Sequence, residues 1–503
     1  MITRSGLIQW GAWGPDAFDR AATELKPVLL GMGPAWCHWT AEQRADAYDD
    51  PEVADLVQAR FVPVWVDADA RPDVSERYTL GRWPTTAFLT PEGEVLGGGV
   101  YLEPATLLAV AGQVAEAYGR RRDELAGAAA ATGGVPAPAP TADGVDDGAG
   151  DWLETELRAA FDERWAGFGV GPKRVHGDAL EAALLRCAPD ARDPALAGVV
   201  EQTLDAITDG ELWDQVDGGF FRFCEGRDWS APHVEKVTGH NARLLRVLLL
   251  ACGRLERPDL ADRAAALVRF VHRTLADPEG GFYASQRADP AYSALATVEA
   301  RRGRAAPPVD RTIYTDAAAA MASAYALGAD VLDDPSLLEF AATTVDRVVL
   351  ATYERGAGVG HVGVGAPPVR GLLVDQVAAS EAMLDLHEAT GQQAWLDMPR
   401  ELMAYCRQTM WSDRGFEDRA RVGLTGADAP VGLLRQPVRP LELTCRAAVV
   451  LARLARLTDE PSYAEQARAA LASQTPVYRA HGLDGAAYPL ALARLREAAR
   501  NPA

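Results

Sequence analysis

The chain has 503 residues, 48% hydrophobic and 24% charged, which is enough apolar side chain for a sizeable core and argues against disorder. Its 50 basic residues against 71 acidic ones give a net charge of −21, disfavouring nucleic acid or an anionic lipid surface as the main partner. The length suits two to four domains, or one small and one large.

The first residues, MITRSGLIQWGAWGPD, hold no apolar run of signal-peptide length. No stretch reaches the roughly 18 apolar residues of a membrane span. Six cysteines without a close pair build neither a disulfide framework nor a zinc ribbon, so the expected setting is cytoplasmic with reduced thiols.

Short branched and aromatic runs at 27–30 (PVLL) and 61–66 (FVPVWV) predict buried strands, with a helix over 40–59 between them. A third strand at 87–89 meets a fourth at 95–96 across Thr90-Pro91-Glu92-Gly93, a hairpin turn. A helix begins after Pro104. Strand–helix–strand, hairpin and helix is the order of a thioredoxin-like α/β fold, predicted for residues 1–126. Residues 127–150, GAAAATGGVPAPAPTADGVDDGAG, have no aromatic residue and read as a linker, with a surface loop inside one domain as the alternative.

From 151 to 503 strand signals nearly vanish and helical spacing dominates, as in Leu267, Phe270, Val271 and Leu275. Leu244–Cys252 is apolar almost all round, as a covered helix would be. Glycine–aromatic punctuation recurs at Gly218-Gly219-Phe220, Gly280-Gly281-Phe282-Tyr283 and Gly415-Phe416, with a period near 60 or twice that. This suits long helical hairpins, and the segment has room for six. Closed into a ring they make an all-α (α/α)6 barrel, with glycine turns at one rim and aromatics lining the mouth; an open array is the rival.

Trp36-Cys37-His38-Trp39-Thr40 opens the first helix after the first strand, where helix N–H groups favour a thiolate at Cys37. Thr40 stands where a Cys-x-x-Cys pair would place its second thiol, so dithiol exchange is not expected. Pro84 sits where thioredoxin folds face a cis-proline to the thiol. The plain alternative is that Cys37 and its tryptophans only pack.

Residues 218–241 form the densest polar–aromatic segment. His233 and Glu235 are candidate catalytic groups, converging if Pro232 starts a helix, with Asp316, Asp375 and Cys37 beside them. Phe220, Arg222, Asp228, Trp229, Lys236, His240 and Tyr283 are candidate substrate contacts, since a sugar needs aromatic faces and convergent polar groups. The rival reading is an ion-pair and capping cluster. No His-x-x-x-His, dinucleotide or Walker signature appears, so no metal or cofactor is expected. Of the 50 basic residues only Lys26, Lys173 and Lys236 are lysines, and all three lie inside recognisable motifs.

Lys26-Pro-Val-Leu-Leu, Cys37-His-Trp, Asp67 with Arg71-Pro-Asp73, Trp83-Pro84, Gly171-Pro-Lys173 and Trp229-x-x-Pro-His-x-Glu-Lys236 together resemble the thioredoxin-domain family similar to spermatogenesis-associated protein 20. The resemblance implies a thioredoxin-like domain joined to a barrel like those of N-acylglucosamine 2-epimerases and six-hairpin glycosidases. The family usually reads Cys-His-Trp-Cys, which Thr40 breaks, and Ser-Trp-Asn where this chain has Tyr314-Thr315-Asp316. The leading expectation is a carbohydrate-related barrel, epimerase-, isomerase- or glycosidase-like, taking a carbohydrate or other small molecule. The alternatives are thiol redox through Cys37 with an external thiol, and a scaffold whose thioredoxin-like domain docks a protein partner.

Overall fold

The unbroken apolar run Val28–Met32 gives a strand that buries both faces, and the rest of the N-terminal unit is assembled on it. The computed structural model describes residues 6–132, 144–187, 194–363 and 369–500. They divide into two units: Met1–Pro138 with Ala366–Gly371 and Arg421–Pro437, and Ala139–Gly365 with Leu372–Ala420 and Val438–Ala503. Of the linker segment 127–150, residues 133–143 lie outside the described residues; 127–132 end a helix and 144–150 lead into the next one.

The first unit runs α1 (Pro15–Glu24), β1 (Val28–Met32), α2 (His38–Gln43), α3 (Pro51–Arg60), β2 (Val62–Val66), α4 (Pro72–Tyr78), β3 (Thr85–Leu89), β4 (Val95–Gly99) and α5 (Pro104–Thr132). The sheet order is β2-β1-β3-β4, with β1 parallel to β2 and antiparallel to β3. This is the thioredoxin-like arrangement. The helix expected over 40–59 is divided, because Asp50 caps a new helix at Pro51 by accepting from the N–H groups of Glu52 and Val53. Val28, Leu30 and Met32 face α1 and α4, while Leu29 faces α3 and α5.

One part of this unit comes from far along the chain. Val431 and Leu434 fill the α1–α4 face beside Trp13, Phe18, Val74 and Tyr78. Arg77 donates to the carbonyls of Leu433 (3.0 Å) and Gln436 (2.8 Å). The Tyr78 hydroxyl accepts from the Leu433 N–H (2.9 Å) and donates to the Gly93 carbonyl (2.7 Å).

The second unit opens with α6 (Ala149–Ala160), α7 (Gly177–Arg186), α8 (Pro194–Asp209), β5 (Lys236–Val237), α9 (Thr238–Arg254) and α10 (Pro258–Thr274). After these come β6 (Ser285–Gln286), α11 (Pro290–Ser293), α12 (Val298–Arg301), β7 (Val309–Asp310), α13 (Thr315–Val331), α14 (Pro335–Thr352), α15 (Leu373–Thr390) and α16 (Ala394–Thr409). It ends with β8 (Trp411–Ser412), β9 (Gly415–Phe416), α17 (Leu441–Thr458), α18 (Pro461–Gln474) and α19 (Ala487–Arg500). α7 packs on α9, α9 on α13, α13 on α15, α15 on α17, α17 on α19, and α19 returns to α7. Each of these inner helices has an outer partner: α8, α10, α14, α16, α18 and, for α19, α6. The ring is closed, an (α/α)6 barrel, and the open array is excluded. Small residues such as Ala318, Ala322, Ala378, Ala382 and Ala448 are buried on these inner helices, where they permit close approach.

Ion pairs join successive inner helices. Arg243 and Arg246 on α9 reach Asp178 (2.9 Å) and Glu181 (3.1 Å) on α7, and Arg446 on α17 pairs with Glu381 on α15. Arg494 on α19 closes the circle on Glu181 at 3.0 Å. Burial pushes the Glu181 carboxyl up, but Arg246 and Arg494 bring it down to about 2 from 4.5. A depressed carboxyl contributes stability above its unfolded pKa and loses it as pH falls toward the folded value. Glu181→Gln is therefore less stable than the parent at pH 7, and the gap closes between about pH 4.5 and 2 in thermal melts. A constant gap over that range contradicts this assignment.

Two of the glycine–aromatic signatures, at Gly218 and Gly280, mark turns that begin with an acid, and a third such turn, at Gly358, has no aromatic after it; Gly415-Phe416 instead pairs with Trp411-Ser412 in a short hairpin. Asp214 exchanges backbone hydrogen bonds with Gly218 and Gly219, Asp277 with Gly280 and Gly281, and Glu354 with Ala357 and Gly358. Gly219 has φ +83°, and a Cβ there would lie 2.5 Å from the Phe270 ring, so both backbone and space demand glycine. The aromatics do not line a mouth. Phe220, Phe282 and Phe416 are buried, edge-on to Trp213, Tyr325 and Trp411, because burial is worth more to a phenyl ring than a wet rim.

Candidate functional site

An inner helix that begins at the barrel rim points its free N–H groups there, and a carboxylate in the first turn is favoured by that end of the dipole. Five inner helices carry a titratable residue at this point: Asp178 on α7, His240 on α9, Asp316 on α13, Asp375 on α15 and Glu442 on α17. Asp178, His240, Asp316 and Glu442 line one cavity of about 600 Å³ inside the barrel, together with Arg243, Arg246, Glu381, Asp385, Arg446, Arg453 and Arg494.

Side-chain amides fix this rim. Asn241 accepts from the Phe220 N–H (2.8 Å) and donates to the Phe220 carbonyl (3.1 Å). Gln376 clamps Val359 in the same way, at 2.9 and 2.8 Å. Asn241 and Gln376 are equivalent in two repeats, so the residues before them, His240 and Asp375, are equivalent too.

The clamped loop after Val359 brings in His361. Thr315 holds it by donating from N–H to the His361 carbonyl (2.8 Å) and from Oγ1 to the Gly360 carbonyl (2.5 Å). Tyr314 stacks on the imidazole, with centroids 5.1 Å apart. His361 Nδ1 lies 2.8 Å from Asp375 Oδ1 and 3.9 Å from Asp316 Oδ1. Asp375 is fully buried, and its Oδ2 has no hydrogen-bond partner among the described residues. Burial raises this carboxyl to about 6; His361 opposes the rise and the Asp316 charge adds to it. His361 escaped the sequence reading because it stands alone between glycines and valines. Its one signal was scarcity, as one of eight histidines.

His240 faces the cavity with its pKa held down to about 4, by enclosure in the barrel and by Arg222, Arg243 and Arg174. Its imidazole is neutral at pH 7. Asp178 and Glu442 both bond Arg243, at 2.9 and 2.5 Å, and Asp178 is raised to about 6, chiefly by burial.

The structure thus gathers His240, Asp316 and Asp375 at the rim but leaves other candidates elsewhere. His233 and Glu235 lie in an extended segment before β5, not in a helical turn; alternate residues of an extended chain share a face, so Nδ1 and Oε1 still come within 3.8 Å. His233 stacks on Phe223, and its Nε2 lies 2.8 Å from Glu225; Arg222 donates to Glu235 at 2.5 Å. Neither His233 nor Glu235 lines the cavity. Asp228 bonds Ser230, buried Trp229 donates to the Trp165 carbonyl (3.1 Å), and Tyr283 lies under Arg311.

The lysines are turn locks. Lys236, 2% exposed, donates to Asp214 Oδ2 and to the Gly218 carbonyl, both at 2.7 Å, between the rings of Phe221 and Phe270. Fully buried Lys173 repeats the arrangement with Asp162 (2.9 Å) and the Gly169 carbonyl (2.8 Å). Lys26 pairs with Glu24 near the surface.

In the N-terminal unit Cys37 is the N-cap of α2 and 5% exposed. No other cysteine falls in that unit's sequence. Trp36 donates to Asp69 (2.7 Å), and Trp39 is half exposed, edge-on to Tyr101 and next to His38. Thr40 is buried; a Cβ on Gly33 would lie 2.4 Å from its hydroxyl. The Trp83–Pro84 bond is cis.

Residues 3–133 match the family described as "Protein of unknown function, DUF255", with a thioredoxin-like domain. Spermatogenesis-associated protein 20 of mouse is 28% identical over 322 residues, covering 56% of this chain and 39% of that protein. Residues 3–133 thus carry the thioredoxin-like domain of that family, and the chain is similar to spermatogenesis-associated protein 20 over 56% of its length. An uncharacterized protein of Caenorhabditis elegans is 26% identical over 306 residues, covering 56% of this chain and 41% of its own. The chain thus spans about two fifths of the curated relatives it matches. Among solved structures, cellobiose 2-epimerase from Bacillus thermoamylovorans covers 70% of this chain and 97% of its own, with TM-score 0.52 and 12% identity. A sugar epimerase from a ruminal bacterium covers 65% and 86%, with TM-score 0.51 and 11% identity. At these identities the likeness is one of fold. No helix among the described residues is long and apolar enough to cross a membrane.

Proposed function

We propose that the barrel acts on a neutral reducing sugar by moving a proton at the carbon beside its carbonyl, as an epimerase or isomerase does. The observation that carries this reading is that His240 and Asp316, on the adjacent inner helices α9 and α13, face one cavity of about 600 Å³. The cavity's guanidinium and carboxylate groups are largely paired with one another, so an uncharged polyhydroxyl ligand can bond to them without stripping a counter-charge.

His240, neutral above about pH 4, is the proton acceptor. The nearby guanidiniums that disfavour its cation equally favour the enediolate charge that develops on the sugar, so the ion pair forms at little net electrostatic cost. Asp316, held beside His361 and Asp375, handles the proton on the sugar oxygen. Two-carboxylate glycoside cleavage is less well served, because Asp178 and Glu442 share Arg243 and Asp375 is fully buried. The test is formation of the C2 epimer or the ketose from a panel of neutral reducing sugars. His240→Ala and Asp316→Asn each lower the rate by about 10²–10⁴-fold, whereas His233→Ala changes it little. Equal rates in all three variants would refute the assignment.

A further inference from the structure

Three donor groups of two chemical kinds meet behind the Asp316 wall of the cavity. Asp316 comes from the first turn of α13, Asp375 from the first turn of α15, and His361 from the loop that Gln376 and Thr315 hold in place. One ligand atom from each lies within 4.8 Å of the other two.

We propose that Asp316, His361 and Asp375 form a binding site for one divalent first-row metal ion. Ligand atoms bonded to such an ion at about 2.0–2.2 Å, in tetrahedral or octahedral geometry, lie about 2.9–3.5 Å from one another. The separations from His361 Nδ1, 2.8 Å to Asp375 and 3.9 Å to Asp316, bracket that range. Asp316, the one partly exposed member of the three, is the group whose carboxylate would shift inward to close on an ion.

A second observation points the same way. Asp375 is fully buried, yet its Oδ2 lacks a hydrogen-bond partner among the described residues. A desolvated carboxylate oxygen left without a partner is costly, and a cation removes the cost. Two carboxylates and a neutral imidazole carry −2, which one divalent ion neutralises. The mixed nitrogen–oxygen set suits Mn²⁺, Fe²⁺, Co²⁺ or Zn²⁺, while Ca²⁺ prefers oxygen alone.

Support from behind is built in as well. Tyr314 stacks on the His361 ring and Thr315 holds its backbone, so the imidazole is oriented before an ion arrives. The ion takes the place of the proton that His361 Nδ1 and Asp375 Oδ1 share. Because Asp316 lines the cavity, the remaining coordination positions open toward it, as in metal sites that bind a water or a substrate oxygen. The inference goes beyond the sugar reading and does not require it.

The experiment is calorimetric titration of the EDTA-treated full chain with Mn²⁺ or Zn²⁺ alone, alongside Mg²⁺ and Ca²⁺, with thermal melts of each mixture. The expected result is one Mn²⁺ or Zn²⁺ per chain with a higher melting temperature. Asp316→Asn weakens that binding by at least about 10-fold, and Glu442→Gln, on the same rim but outside the cluster, leaves it unchanged. Asp316 is one third exposed, so its variant keeps the fold where Asp375→Asn could lose it; circular dichroism verifies this. Absence of one-to-one binding by any of the four ions overturns the proposal. So does equal affinity in the parent and Asp316→Asn, the result expected if His361 and Asp375 are a simple hydrogen-bonded pair. Either failure leaves the sugar assay standing, so the two readings fall separately.

Discussion

Asp214→Asn destabilises the barrel by about 3–5 kcal/mol, measured as a shift of its urea midpoint. Asp214 is 5% exposed and holds two buried cations, Lys236 at 2.7 Å and Arg301 at 2.8 Å. It also accepts from the Val216 N–H at 3.0 Å, which fixes the glycine turn. Removing the charge leaves the buried Lys236 ammonium with no carboxylate at hydrogen-bond distance and Arg301 with Asp217 alone, at 2.6 Å, so the loss exceeds that of an ordinary hydrogen bond. Asp209→Asn is the control: Asp209 is largely exposed and meets Arg263 only at 3.8 Å, so the change is within about 0.5 kcal/mol. The same pocket accounts for a lysine surviving where arginine is otherwise used. An ammonium fits between Phe221, Phe270 and the Gly218 carbonyl, whereas a planar guanidinium is too wide. Matching stability of Asp214→Asn and Asp209→Asn would show that the turn does not depend on its acid.

Leu434→Ala costs the N-terminal unit about 2–5 kcal/mol, although it lies more than 300 residues beyond the rest of that core. Its side chain is 4% exposed and packs with Val431 against the face built by Trp13, Phe18, Val74 and Tyr78. The backbone around it is held by Arg77 and the Tyr78 hydroxyl, so the segment cannot slide to refill the space. Hydrogen exchange of β1 and β3 amides reads the loss within this unit. It follows that residues 1–138 expressed alone expose an apolar face and bind a hydrophobic dye. A cooperative, dye-free fragment with the parent's amide protection would contradict this.

What could be read from the sequence follows from how local each signal is. Strands β1 to β4, the turn at Thr90–Gly93 and the helix after Pro104 are written in short runs and turn residues, and they appear where expected. The hairpin period was legible because each repeat needs its own glycine turn. Closure into a ring, the expected geometry, rested on the family resemblance rather than on any local signal, since it depends on α19 meeting α7, more than 300 residues apart. The segment Arg421–Pro437 carries no mark of belonging to the thioredoxin-like unit, because Val431 and Leu434 look like any loop hydrophobics until Tyr78 is beside them. Within the site, His240 was visible in the polar–aromatic segment 218–241 and Asp316 and Asp375 near hairpin turns, but His361 was not, and it ties Asp316 to Asp375. The dense cluster at His233 and Glu235 drew attention through composition. Its residues bond to one another through Arg222, Phe223 and Glu225 and do not line the cavity.

Solvent exchange at the reacting carbon tests His240 as the proton acceptor. The full chain is incubated in D₂O with neutral reducing sugars, and the C2 proton is followed by NMR. Deuterium is expected at C2 of at least one sugar with the parent protein and none above background with His240→Ala. Glycosidic cleavage without C2 exchange, or exchange that persists undiminished in His240→Ala, would contradict this assignment.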